Sequence, residues 1–207
     1  MSVRSPKLAV PALLGLLVAL FAHPAHAQDP RDVWLNLLEA GNIEEGREQL
    51  VVYAGGLPPV EATTILRWVE AISLTEGEDQ AAAANAIVLA QRSDPDGAVE
   101  LLTIRTADRT DEAAPVLIAL AVHLADDAEN SVLANTLRAR LVADFADHPV
   151  TPEALLELAE YRLVAGEPLD ATASAVEALI VDQPTHPLVP TARRLLARLR
   201  EASGVTS

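Results

Sequence analysis

Few side chains of this chain have the type and spacing that chemistry needs. Beyond residue 27 there are three histidines, His123, His148 and His186, with no cysteine and no lysine. A metal site requires two or more histidines converging with carboxylates. His148 and His186 both precede a proline and lie 38 residues apart. If their loops belong to stacked helical units, about 10 Å of helix packing separates them, too far for one ion. Both therefore read as loop or cap residues. His123 stands among Leu117, Leu120 and Leu124 and reads as a satisfied or half-exposed histidine of an apolar helix. Asp94-Pro95-Asp96-Gly97 has the look of a calcium loop, but that register puts Arg92 at the first ligand position and Thr103 at the twelfth. Neither fits, so the segment reads as a turn at a helix end. The pairs Glu44/Glu45 and Asp126/Asp127 read as solvated turns. No nucleophile elbow, zinc-protease helix, phosphate loop or dinucleotide fingerprint occurs. The expectation is a protein that is not an enzyme and holds no cofactor or metal.

One cationic group stands out. Arg193, Arg194, Arg198 and Arg200 crowd the last helical segment, opposed there only by Glu201. Cations near a helix C-terminus complement its dipole, and a terminal helix needs a polar outer face. The functional reading is a patch that docks on an acidic partner or on a second copy of this chain.

The elements that must position these residues follow from composition and periodicity. The chain has 207 residues, half of them apolar, so a packed core is within reach and wholesale disorder is excluded. Residues 1–27 read as a cleaved signal peptide: Arg4 and Lys7, then an uncharged run from Leu8 to Phe21, then Ala25-His26-Ala27 before Gln28. The run is short of the ~20 residues a spanning helix needs, and nothing later is long and apolar enough to span. Export across the inner membrane, ending in the periplasm, is the expected localisation. Residues 28–207 then carry thirteen arginines against 30 acids, a formal charge of −17. That charge and only five aromatic residues disfavour nucleic acid as a partner.

Helical periodicity runs almost throughout, and strand patterns are scarce. The spacing predicts helices near 30–40, 43–54, 59–76, 78–92, 97–106, 111–126, 130–145, 152–165, 168–182 and 188–202. Gly41, Gly77 and Gly166 mark helix ends, Pro152 and Pro168 first turns, and Asp111 and Thr151 N-caps. In 152–165 the apolar stripe is Leu155, Leu156, Leu158, Ala159 and Leu163, with Glu153, Glu157 and Glu160 on the polar side. In 168–182 Ala171, Ala175 and Ala178 form a small-residue face. Ala159 and Ala171 are expected to face each other across the hairpin.

The chain also repeats itself. Leu141–Gly166 aligns with Leu179–Gly204 without a gap, with ten identities in 26 positions, among them Asp144/Asp182, His148/His186, Pro149/Pro187 and Gly166/Gly204. Independently, Gly41, Gly77 and Gly166 each precede a proline by 18 residues, at Pro59, Pro95 and Pro184. The pattern reads as a recurring hairpin in which the glycine turns the chain and the proline ends the second helix.

On these residues the sequence resembles the tetratricopeptide repeat (TPR) family. With Gly166 on the turn glycine, Leu155 and Leu158 take large first-helix positions, Ala159 the small one, and Ala171 and Ala178 the small second-helix positions. The loop from Asp144 to Ala154 looks like the inter-repeat loop of envelope-type TPR proteins. The first-helix tyrosine falls on Arg162, the second-helix aromatic on Ala175, and Pro184 lies one residue late. The resemblance is clearest over 141–204, weaker over 31–95 and degenerate over 96–140. It implies an all-α fold, an α-solenoid of TPR-like antiparallel helical hairpins. It also implies a concave partner-binding surface including Thr64, Arg67, Ala71, Glu153, Leu156 and Glu160. The expected function is an exported helical-repeat scaffold binding another envelope protein or peptide, with self-association as a further option. The alternative is a small α-helical ligand-binding or hydrolytic domain, which a clustered His/Asp/Glu pocket would favour.

Overall fold

The computed structural model describes residues 29–204, and the proposed signal peptide lies outside them. The described residues form ten helices: α1 (Pro30–Glu39), α2 (Ile43–Ala54), α3 (Pro59–Ser73), α4 (Gly77–Gln91), α5 (Pro95–Thr106), α6 (Ala113–Asp127), α7 (Ser131–Asp144), α8 (Thr151–Ala165), α9 (Asp170–Asp182) and α10 (Val189–Ala202). No strand occurs among the described residues. Every expected helix is present, with ends that differ by a few residues. Asp29, Asp94 and Asn130 cap their helices, each accepting from a first-turn N–H. Asp111 accepts from the Ala114 N–H at 3.1 Å. Thr151, expected to cap α8, is its first residue, and its hydroxyl donates to the Phe145 carbonyl at 2.6 Å. Pro59 and Pro95 do not end second helices; they open α3 and α5 at positions where a missing N–H costs nothing.

Consecutive helices pack on one another along the chain. In the first half, α1 also packs on α4, and α6 on both α3 and α4. In the second half the additional contact is α8 on α10. Ten of the fifteen residues of α6 are buried, as expected for a helix apolar on nearly every side. The apolar interior falls into two clusters. The larger runs from Trp34 to Ala154 and has Trp34, Tyr53 and Trp68 at its N-terminal end, with ring centroids 6.1 Å apart in each Trp34 pair. The smaller gathers Leu155, Leu156, Ala159, Val176, Leu179 and the α10 leucines. α8 thus faces both.

The sequence repeat is also a backbone repeat. The Phe145 and Gln183 N–H groups donate to the carbonyls of Leu141 and Leu179. The His148 and His186 N–H groups donate to the carbonyls of Phe145 and Gln183, 3.0 Å in each case. The Thr151 and Val189 N–H groups return to the histidine carbonyls at 2.9 and 3.0 Å. Gly166 and Gly204 end the two units at φ of +69° and +71°, a conformation that glycine adopts without steric cost.

Register fails in one place. Residues 167–169 are not helical, so Pro168 lies in the turn and α9 starts at Asp170. This longer turn shifts each second-helix position by one. Thr172, Val176 and Leu179 are buried, whereas Ala171 and Ala178 are exposed. Ala159 is buried but does not face Ala171. The polar contact between these helices is Arg162 Nη1 donating to Thr172 Oγ1 at 2.9 Å. Arg162 is the residue that replaces the expected tyrosine.

Close approach of α1 and α2 depends on Gly46. A Cβ there would lie 2.5 Å from Cδ2 and 2.9 Å from Cγ of Leu38, a side chain only 1% exposed. Alanine in a helix interior ordinarily gains about 1 kcal/mol over glycine, but overpacking costs about 1–3 kcal/mol. Gly46→Ala is expected to lose about 1 kcal/mol in urea denaturation. A gain in stability would show that α1 and α2 are not in this contact.

Candidate functional site

A cleft of about 710 Å³ lies between α3, α6, the start of α8 and the two His-Pro loops. α3 contributes Arg67, Glu70 and Ala71, with Leu74 at its end. Val116, Ala119, Leu120 and His123 come from α6, with Glu112 just before it. The first loop brings His148, Pro149 and Val150, α8 brings Glu153, and the second loop brings His186 and Leu188. Helical spacing explains the α3 set: positions 67, 70, 71 and 74 lie on one face. An ion pair between Arg67 and Glu153 joins α3 to α8 across 86 positions of sequence.

A second polar layer adjoins it. Arg138 of α7, with a side chain 8% exposed, pairs with Asp126 of α6 and, at 2.9 Å, with Glu157 of α8. Glu157 is therefore half-buried and paired across helices, not on a solvated polar face. Burial, more than Arg138 offsets, raises its pKa. Asp127 is also raised, by burial and then by Asp126. Burial first, then the positive charges of Arg67 and Arg138, lower the pKa of His123 to about 4. His123 is thus neutral at pH 7 and a weak base. Burial also lowers that of His148, with Glu112 opposing.

All three histidines line this one cleft, His148 and His186 from equivalent loops of the repeat. The available signal was that no other histidine follows residue 27. Among the described residues no group of three His, Cys, Asp or Glu side chains could hold a metal ion. The lining contains no Ser, Thr, Cys, Lys or Tyr.

Of the residues expected on the concave surface, Arg67, Ala71 and Glu153 line the cleft. Thr64 is half-buried and outside it, and Leu156 is buried in the C-terminal core, because α8 turns that face toward α10. Glu160 is exposed and pairs with Arg198 at 3.2 Å. Arg200 pairs with Glu177 at 2.9 Å, and Arg194 donates to Thr191 Oγ1 at 3.1 Å. Arg193 is exposed and has no ion pair among the described residues. The arginine patch is therefore half neutralised by acids of α8 and α9 that local sequence does not reveal.

The neutral histidine gives a pH signature. Unfolded His123 takes a proton near pH 6.5, while the native residue does so only near 4. Its contribution to stability is therefore full above 6.5 and falls as pH drops toward 4, by about 3 kcal/mol in all. His148 acts in the same direction. Asp127 and Glu157, being raised, act in the opposite sense at lower pH. Asp79, lowered to about 2 by its hydrogen bonds from Arg109, weakens the fold only as pH falls below about 4. A urea-stability profile between pH 8 and 5 should slope accordingly, and His123→Gln should flatten it between pH 5 and 6.5. Equal slopes in both proteins would mean that His123 is not buried beside the two arginines.

No protein-family model matches the chain, and neither a curated protein nor a solved structure matches it.

Proposed function

We propose that this chain is an exported, non-enzymatic helical scaffold that grips another envelope protein through the α3–α6–α8 cleft. The observation that carries the reading is the cleft itself. It is an apolar trough with charged edges, assembled from elements far apart in sequence, and its lining includes no serine, threonine or cysteine nucleophile. The signal-peptide pattern of residues 1–27 supports export to the periplasm. No helix among the described residues is long and apolar enough to cross a membrane. The repeated His-Pro loops and the matching α8 and α10 support reading α7–α10 as two TPR-like units of an α-solenoid. The additional contacts of α1 with α4 and of α3 with α6 make the first half more bundle-like than a regular array.

A second reading has a specific observation in its favour: three histidines and three glutamates share the cleft. That grouping suits a ligand-binding or hydrolytic domain. Binding has the stronger support, because an efficient general base has a pKa near the working pH, and His123 lies near 4 between two arginines. Self-association through α10 has weaker support, since Arg198 and Arg200 are paired within the molecule.

Two measurements test the proposal. Mature protein recovered from the envelope should begin at Gln28, and retention of Met1 on exported material would contradict the export claim. A photocrosslinking amino acid at Leu74, a cleft residue 54% exposed, should capture a discrete partner in the living envelope. The same probe at Val164, 84% exposed and outside the cleft, should not. Equal capture at both sites, or none at Leu74, would overturn the scaffold reading.

A further inference from the structure

The chemistry of the rim narrows the partner class, and this step rests on the binding role proposed above. Glu153 is engaged by Arg67, so the cleft's arginine is already neutralised. Glu70 and Glu112 are exposed on the same cleft and make no side-chain hydrogen bond or ion pair among the described residues. The same lining includes the apolar residues Ala71, Val116, Ala119 and Leu120, of which Ala71, Val116 and Leu120 are buried. The rim thus offers two unneutralised carboxylates above a surface that favours apolar side chains.

The His-Pro loops add donors. His148 Nδ1 accepts the Val150 N–H at 3.4 Å, and His186 Nδ1 accepts the Leu188 N–H at 3.2 Å. A neutral imidazole that accepts at Nδ1 carries its proton on Nε2. Nε2 is on the far edge of the ring from the loop backbone it caps. Both histidines line the cleft, so the Nε2–H of each ring is the donor these loops can offer there, at equivalent positions of the 38-residue repeat. Carboxylates for a cation, N–H donors for carbonyl oxygens and an apolar floor are together what an extended peptide with a basic side chain requires.

We propose that the cleft binds an extended peptide segment in which an arginine or lysine is flanked by apolar residues. Its cation lies at Glu70 and Glu112, and its backbone carbonyls accept from Nε2–H of His148 and His186. Charge complementarity chooses this occupant over the others. The whole chain carries a formal charge of −15, which draws a basic segment toward the cleft and repels an acidic one. A second copy would bring the same net negative charge.

The test is selection of a random dodecapeptide phage library on the immobilised protein. Enriched peptides should share a basic residue with apolar neighbours. The best of them, synthesised, should lose about tenfold or more in affinity against the double variant Glu70→Lys/Glu112→Lys. It should lose a similar factor when its arginine becomes citrulline, and should bind more weakly to His148→Phe/His186→Phe. Glu70 and Glu112 are exposed, so their variants should fold; Glu70→Gln/Glu112→Gln, with the same direction expected, removes the charge without reversing it. No enrichment, a consensus without a basic residue, or unchanged affinity for both charge variants would overturn the proposal. So would agmatine alone binding as tightly as the peptide, which would make the cleft a small-amine site. If the library fails while the probe at Leu74 still captures a protein, this proposal falls and the scaffold reading stands. If the library succeeds while Leu74 captures nothing in the envelope, the outcome is the reverse.

Discussion

One ion pair, between Arg67 and Glu153, ties together two sides of the cleft. It joins α3, in the N-terminal half, to the first turn of α8, within the repeated C-terminal segment. Both side chains are partly exposed, so the pair is worth about 0.5–1 kcal/mol at most. Its importance is geometric more than energetic. Glu153 sits where the N-terminal end of the α8 dipole already favours an anion. Arg67 therefore meets a carboxylate whose position is set by its own helix. The apolar side of α8 is divided, with Ala154 in the larger core and Leu155, Leu156 and Ala159 in the smaller. Packing of α7 on α8 joins the two cores, and the charged pair bridges α3 to α8 beside that junction, where both residues line the cleft.

The polar layer around Arg138 follows the same logic at greater depth. An arginine that is almost fully buried is costly to desolvate, and a single well-placed partner rarely does more than offset the cost. Arg138 has two carboxylates, one on each neighbouring helix, and Asn135 of its own helix accepts from it at 3.1 Å. The raised pKa of Glu157 shows that burial still outweighs attraction for that partner. Such a layer contributes little net stability. It does distinguish one arrangement of α6, α7 and α8 from others that would leave the charge unpaired, which an all-leucine interface would not do.

Local signals made the helices legible in sequence. The Gly166 turn, the carboxylate of Asp111 at the start of α6 and the 38-residue repeat all act within a few residues of where they appear, and all have counterparts in the structure. What sequence did not reveal depends on partners distant in the chain. Glu157 has the spacing of a solvated face and is drawn inward by Arg138 from the preceding helix. A longer turn before α9 moves its buried face from Ala171 and Ala178 to Thr172, Val176 and Leu179. His123 of α6 and the two repeat-related histidines of the His-Pro loops line one cleft, a juxtaposition that no local motif encodes. Of the expected concave surface, Arg67, Ala71 and Glu153 reach the cleft, while Leu156 faces the neighbouring helix.

A double-mutant cycle on Arg67 and Glu153 tests the central claim most directly. Arg67→Met, Glu153→Gln and the double variant would be compared with the parent by urea denaturation at low ionic strength. The cycle subtracts the loss each substitution causes alone, including the dipole contribution of Glu153. A coupling of about 0.5–1 kcal/mol that shrinks as salt is added is expected. Strictly additive losses, unchanged by salt, would mean that α3 and α8 are not joined by this pair and that the cleft is not held as described.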